Sequence, residues 1–149
     1  MADTPGIRPK SYTYQTRVEW AGARAGQLHA EGKPTFRVAS PPEFKGEAGV
    51  WSPEDLFVSS VNVCTMTTFL SFAERAKLVL ASYASTAEGT LELADGSFRF
   101  TRIVIKPQLR VQADQVEQAR KLMHDAHAKC LVSNSMRCEV VVELTVVGA

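Results

Sequence analysis

Ser52-Pro-Glu-Asp-Leu-Phe-Val-Ser-Ser-Val-Asn-Val-Cys64-Thr-Met-Thr-Thr-Phe-Leu-Ser-Phe-Ala-Glu-Arg-Ala76 is the stretch from which the rest of the chain can be read. It opens as a helix should. Ser52 suits the N-cap, Pro53 the first helical position, and Glu54 and Asp55 the positive end of the helix dipole. No charged residue stands between Leu56 and Ala73. The apolar residues of that interval fall on every side of the helical wheel, and a helix apolar all round is a buried one. It is too short and too rich in Ser, Thr and Asn for a membrane span. The expectation is a central helix of a soluble domain, with Cys64 in its middle.

The remaining composition narrows the field. A chain of 149 residues suits a single domain spanning 1–149. A net charge of +1, evenly mixed, points to neither nucleic acid nor an anionic membrane. Met1-Ala-Asp-Thr-Pro-Gly lacks the apolar region of a secretory signal, which makes cytoplasmic residence the default expectation. Three widely spaced cysteines in such a compartment argue for reactive or simply buried thiols rather than a disulfide scaffold.

Outward from the helix, residues 1–9 read as a loose arm. Tyr12 to Trp20 alternates apolar and polar residues, the mark of a half-buried strand. Ala21-Gly-Ala-Arg24-Ala-Gly26 is a turn, and Gln27–Ala30 and Thr35–Ala39 are two further strands. Ser40 to Gly49, with two prolines and two glycines, is a loop. Beyond the helix, Leu78–Leu93 and Phe98–Val111 read as strands joined by an Asp95-Gly96 hairpin turn. Pro107 suggests an edge or a bulge. Asp114 and Glu117 form a D-x-x-E box ahead of a second helix with one apolar stripe. Ser133-Asn-Ser135 is a turn, and Arg137–Val147 is a last strand. The order βββαββαβ, without single alternation, predicts an α+β fold with mostly antiparallel sheets around the long helix.

Two cysteine segments and one glycine-flanked arginine resemble a known family. Ser52-Pro-Glu-Asp-Leu-Phe, with Cys64 ten residues after Glu54, is similar to the N-P-E-x-L…C helix of the OsmC/Ohr proteins. These are the osmotically inducible protein C and organic hydroperoxide resistance proteins. Ala126-His127-Ala-Lys-Cys130-Leu-Val-Ser-Asn134 is similar to their A-H-x-x-C-P-x-S-N segment, and Gly22-Ala-Arg24-Ala-Gly26 to their G-x-R-x-G turn. The pattern departs at Leu131, where the family usually has proline. It also departs at Asn62-Val63, which replaces an Ala-Ala pair, and at Ser52, which replaces Asn. The resemblance implies an intertwined homodimer and a cysteine-based peroxidase for organic hydroperoxides. It also implies a dithiol reductant, with lipoylated proteins as electron source, and no cofactor. Under it, the site residues are Cys64 as peroxidatic thiol, Cys130 as resolving thiol, and Arg24 and Glu54 as the groups that activate Cys64. The alternative is a non-enzymatic stress protein that binds a lipophilic molecule at its dimer interface.

Elementary chemistry constrains that picture. The thiolate is the nucleophile. Cys64 lies too deep in its helix for the dipole to help, and burial among Val, Phe and Met raises a thiol pKa. A nearby cation is therefore expected: Arg24 by motif, with Arg17, Arg37, Arg75 and Arg137 open by spacing. Ten helical residues rise about 15 Å, so Glu54 cannot meet Cys64 of its own helix directly. Either the arginine bridges the two, or Glu54 comes from the helix of a second copy of the chain packed antiparallel; the second, a site completed at the dimer interface, is the expectation. A lone cysteine on an apolar helix is more often a small core residue; the second motif is what favours chemistry here. Cys138, on the apolar face of the last strand, and His127 read as structural. His124, His127 and Cys130 form H-x-x-H-x-x-C, but steps of three drift about 60° each on a helix, and no fourth ligand is evident.

Overall fold

The computed structural model describes residues 10–149, so the expected N-terminal arm, 1–9, lies outside the described residues. Within what the sequence reads as one domain, the chain divides into two compact units that meet in sequence between Pro53 and Glu54.

The first unit is a three-stranded antiparallel sheet in the order β1-β2-β3, with β1 at Arg17–Trp20, β2 at Ala25–His29 and β3 at Phe36–Ala39. β1 is shorter than the alternation from Tyr12 suggested. Tyr12 and Tyr14 precede the pairing and are exposed, Tyr14 at 90%. Residues 22 and 23 make the first turn with positive φ, 101° at Gly22 and 45° at Ala23. The loop after β3 contains a 3-10 turn at Pro42–Phe44 and is held from two sides. Arg24 Nη1 donates to the Phe44 carbonyl at 2.6 Å. Arg37 grips Glu47 in a two-pronged pair, Nε to Oε2 at 2.9 Å and Nη2 to Oε1 at 2.5 Å. Hydrogen bonding to Arg37 holds the Glu47 carboxyl below the ordinary range.

The second unit is built on α1, Pro53–Arg75, the helix with which the sequence reading began. It closes where Lys77 takes a positive φ of 57° and the Leu78 N–H returns to the Ala73 carbonyl at 2.9 Å. By length and composition α1 could cross a membrane, yet Val61 and Phe69 are fully buried in two protein core clusters. β4 (Leu80–Ala94) and β5 (Ser97–Val111) form a long antiparallel hairpin. Its turn is Asp95-Gly96, both with positive φ, as the dipeptide predicts. Helix α2 (Val116–Lys129) and a single helical turn α3 (Leu131–Asn134) lead to β6 (Glu139–Val142) and β7 (Thr145–Gly148). The observed fold is α+β, as expected, but several local readings need correction.

Burial of α1 is one-sided. Val61, Thr65, Phe69 and Ala73, spaced by four, form the buried stripe. Val63 is 53% exposed, and Phe57 and Leu70 are also exposed. All-round apolarity signals that a helix needs cover, but it does not say that one chain supplies all of it. The last strand is two strands, and both pair with β5 in parallel rather than antiparallel. β6 is in register up to Ile105↔Val142, and β7 resumes at Gln108↔Thr145. Lys106-Pro107 lies opposite the break. Pro107 is not on an edge; it is buried in the sheet's second strand, and its missing N–H is where the neighbouring ladder stops. The Glu143 N–H bridges the gap to the Ile105 carbonyl at 2.8 Å. The D-x-x-E box is not formed: α2 starts at Val116 after a 3-10 turn, and Asp114 accepts instead from Gln112 Nε2 at 3.0 Å.

Two clusters make up the core of this unit. One joins the C-terminal half of α1 to β5, α2 and β7 through Phe69, Leu109, Val111, Met123 and Val146. The other contains Val61, Ile103, Ile105 and Cys130, with Cys64 and Cys138 packed against it. Each large side chain fully buried there contributes about 1.5–3 kcal/mol by removal from water. α1 crosses β4 tightly at Gly89, where a Cβ would stand 2.6 Å from Val58 Cγ2 and 2.9 Å from Phe100 Cε1. Phe100 is itself stacked on Phe57, with ring centroids 4.8 Å apart. Gly89→Ala is therefore expected to destabilise the fold by about 1–3 kcal/mol through overpacking. Chemical denaturation reads this directly; an unchanged midpoint would mean that α1 has slack at this crossing.

Candidate active site

The fold brings two of the predicted site residues together. Cys64, half-buried in the middle of α1, packs against the cluster that contains Cys130. Cys130 is fully buried in the extended link between α2 and α3. That link is set locally. α2 ends as the Cys130 N–H bonds to the His127 carbonyl at 3.3 Å, and the Asn134 N–H returns to the Cys130 carbonyl at 3.0 Å. His127 lies 3.2 Å from the Val140 carbonyl through Nε2, which ties the end of α2 to β6. His127 thus acts as a tie, and Cys138 as an apolar contact of the same cluster. His124 is exposed while Cys130 is buried, and among the described residues no three His, Cys, Asp or Glu side chains converge as metal ligands.

Each thiol has its own hydroxyl neighbour on α1. Thr68 Oγ1 is 3.8 Å from Cys64 Sγ, and Thr65 Oγ1 is 3.9 Å from Cys130 Sγ. Asn62, one of the departures from the family motif, is satisfied by Ser85, whose hydroxyl donates to Asn62 Oδ1 at 2.5 Å.

The electrostatics separate the two cysteines. Burial pushes the Cys64 thiol up. Hydrogen bonds to its sulfur from the Val132 N–H, the Cys130 thiol, the Thr68 hydroxyl and the Leu131 N–H outweigh burial, and the net shift is downward. Cys130 moves the other way. Burial raises it most, the Ser133 N–H works against that, and donation to Cys64 together with the Cys64 charge raises it further. Cys64 is thus the group that ionises first, and Cys130 the one that keeps its proton. The sequence reading looked for a cation to activate Cys64; the groups that lower it here are neutral donors. Backbone amides leave no mark in a sequence, and threonines in a helix read as polar filler. Leu131 contributes an N–H that proline at this position would lack.

The sign of the pH dependence follows. Reactivity of Cys64 is present above its lowered pKa and disappears as pH falls through it. Thiolate absorbance is expected to show one thiol ionising earlier than an ordinary thiol and earlier than Cys130. Cys64→Ser should remove that step. If the step survives the substitution, the thiolate belongs to another cysteine.

Glu54 is in the first turn of α1, ten residues before Cys64, with Oε2 buried and without a hydrogen-bond partner among the described residues. Arg24 belongs to the first unit, in the turn between β1 and β2, where its guanidinium is engaged by the Phe44 carbonyl.

Residues 46–145 match the family model described as OsmC-like protein. An OsmC-like protein of unknown function from Vibrio cholerae superposes with a TM-score of 0.82 at 25% identity, covering 90% of this chain and 99% of its own. The organic hydroperoxide resistance protein OsmC of Legionella pneumophila superposes with a TM-score of 0.70 at 26% identity, covering 93% and 99%. By sequence, the uncharacterized protein YmaD of Bacillus subtilis is 22% identical over 137 residues, 88% of this chain and 91% of YmaD.

Proposed function

Because the chain belongs to the OsmC-like protein family, we propose that it is a cysteine-based thiol peroxidase that reduces alkyl or lipid hydroperoxides to alcohols. The observation that supports this reading most is the division of labour between the thiols. Both pack in one cluster; Cys64 is half-exposed with its pKa lowered, while Cys130 is fully buried with its pKa raised. In the first step the Cys64 thiolate attacks the peroxide, the O–O bond breaks, and the departing alkoxide takes a proton to become the alcohol. Cys64 is left as a sulfenic acid. In the second step the Cys130 sulfur attacks Cys64, the S–O bond breaks, and water leaves as the disulfide forms. A dithiol, such as the lipoyl group of a carrier protein, returns both thiols by exchange. Val58, Val132 and Met136 pack in the same cluster as the thiols and favour an alkyl substrate over hydrogen peroxide.

Arg24 and Glu54 take the roles that the motif suggests, Glu54 orienting the arginine. The unpartnered Glu54 Oε2 supports this, since a buried acceptor left without a donor costs about 1–3 kcal/mol. We assign the completion of that pair to a homodimer. Uncovered apolar residues support the assignment: Val63 and Leu70 on α1, and Trp20, 80% exposed, in the first unit. Light scattering after gel filtration should give twice the chain mass. A fully active monomer would remove the dimer from the mechanism. The activity itself is tested by peroxide consumption with a lipoyl dithiol, comparing cumene hydroperoxide with hydrogen peroxide. Faster turnover of the organic substrate is expected; no consumption of either would overturn the proposal.

A further inference from the structure

Thr65 is the most deeply buried polar side chain among the described residues, at 1% exposure. It lies one turn beyond Val61 on the buried stripe of α1, where valine would fill the same space without a hydroxyl to satisfy. A buried hydroxyl is costly unless it finds a partner. The partner within reach is the Cys130 sulfur, 3.9 Å from Oγ1. Thr68, three residues on, faces the other sulfur at 3.8 Å. The helix therefore equips the two thiols separately.

We propose that the Thr65 hydroxyl is the hydrogen-bond donor that lets the buried Cys130 sulfur attack Cys64 once Cys64 has become a sulfenic acid. The inference rests on the peroxidase reading above and assigns Thr65 to its second step. In that step Cys130 gives up its proton and develops negative charge in an apolar cluster, which burial opposes. A hydroxyl 3.9 Å from the sulfur can donate to it and offset that opposition, and hydrogen bonds to a charged acceptor are the strong ones. The sulfur lone pair then forms the S–S bond. The Cys64 S–O bond breaks, hydroxide departs and takes a proton as water, and the Cys130 sulfur is oxidised as the Cys64 sulfenyl sulfur is reduced. Thr65 takes no part in the first step, where Thr68 and the amides face the attacking sulfur.

The two steps can be timed separately by quenched-flow mass spectrometry with cumene hydroperoxide. The sulfenic acid is trapped by dimedone, and the disulfide is read after thiol alkylation. Thr65→Val is expected to leave sulfenic acid formation within about twofold and to slow disulfide formation roughly tenfold, the loss of one hydrogen bond to a developing charge. With excess peroxide, Cys64 of this variant should go on to the sulfinic acid. Thr65→Ser, which keeps the hydroxyl, should restore the second step. Thr65→Ala gives the same prediction as Thr65→Val with a different packing defect, so a folding fault in one variant does not decide the result. A normal first step with an unchanged second step in both hydroxyl-free variants overturns the inference alone. No sulfenic acid in the wild type overturns the peroxidase reading and this inference with it.

Discussion

Cys64→Ser is expected to abolish hydroperoxide consumption, lowering turnover by roughly 10^3-fold or more, to the limit of detection. The reason is specific to this site. The groups around position 64 donate to a sulfur that ionises below the ordinary thiol value. A serine hydroxyl in the same place does not ionise at accessible pH, and four donors cannot make it a comparable nucleophile. The variant should fold. Position 64 is only half-buried, Thr68 can hydrogen-bond the new hydroxyl, and the fully buried Val61 and Phe69 on the same helix are untouched. A steady-state assay with a dithiol reductant, alongside a denaturation curve, measures both. Substantial residual activity in a folded Cys64→Ser protein would move the chemistry to another residue.

Cys130→Ser should give a different failure. The serine hydroxyl can still donate to Cys64, so the first peroxide equivalent is consumed. The assigned resolving thiol is gone and Cys138 is not expected to replace it, so the sulfenic acid persists and then overoxidises. Intact mass should show gains of about 16 and then 32 Da on a single cysteine. Sustained turnover should fall by about 10- to 100-fold, because an external dithiol must reach a sulfenic acid that an internal thiol of the same cluster would otherwise meet. Some stability is lost as well, about 1 kcal/mol, since a more polar group now occupies a fully buried position. Unchanged turnover without overoxidation would exclude Cys130 as the resolving thiol.

Much of this fold was legible because several signals were local. Pro53 with Glu54 and Asp55 marks the start of α1, and Asp95-Gly96 can hardly be anything but a tight hairpin turn. The two cysteine segments were recognisable as residues in order, and the family match over 46–145 covers both; the arginine turn at 22–26 precedes the matched range. What was not legible depends on partners. An alternating strand shows which face it buries but not its neighbour, so the parallel pairing of β6 and β7 with β5 was missed. Pro107 suggests an edge or a bulge; it is not at an edge, and its missing N–H falls where the neighbouring ladder breaks beside a strand with neighbours on both sides. Asp114 matched a cap on spacing alone, but the chain begins its helix two residues later. The apolar wheel of α1 reported a need for cover, not that Val63 and Leu70 would remain open in one chain. At the site, the cysteines were legible and their activation was not, because Thr65, Thr68 and the amides of Leu131 and Val132 meet the sulfurs only after folding.

The most direct measurement takes the reduced wild-type protein, adds one equivalent of cumene hydroperoxide, and determines intact mass and the peptide linkage. A loss of about 2 Da, with the peptides containing Cys64 and Cys130 joined and Cys138 free, is the predicted result. Three unmodified thiols, or a disulfide that leaves out Cys64, would contradict the account.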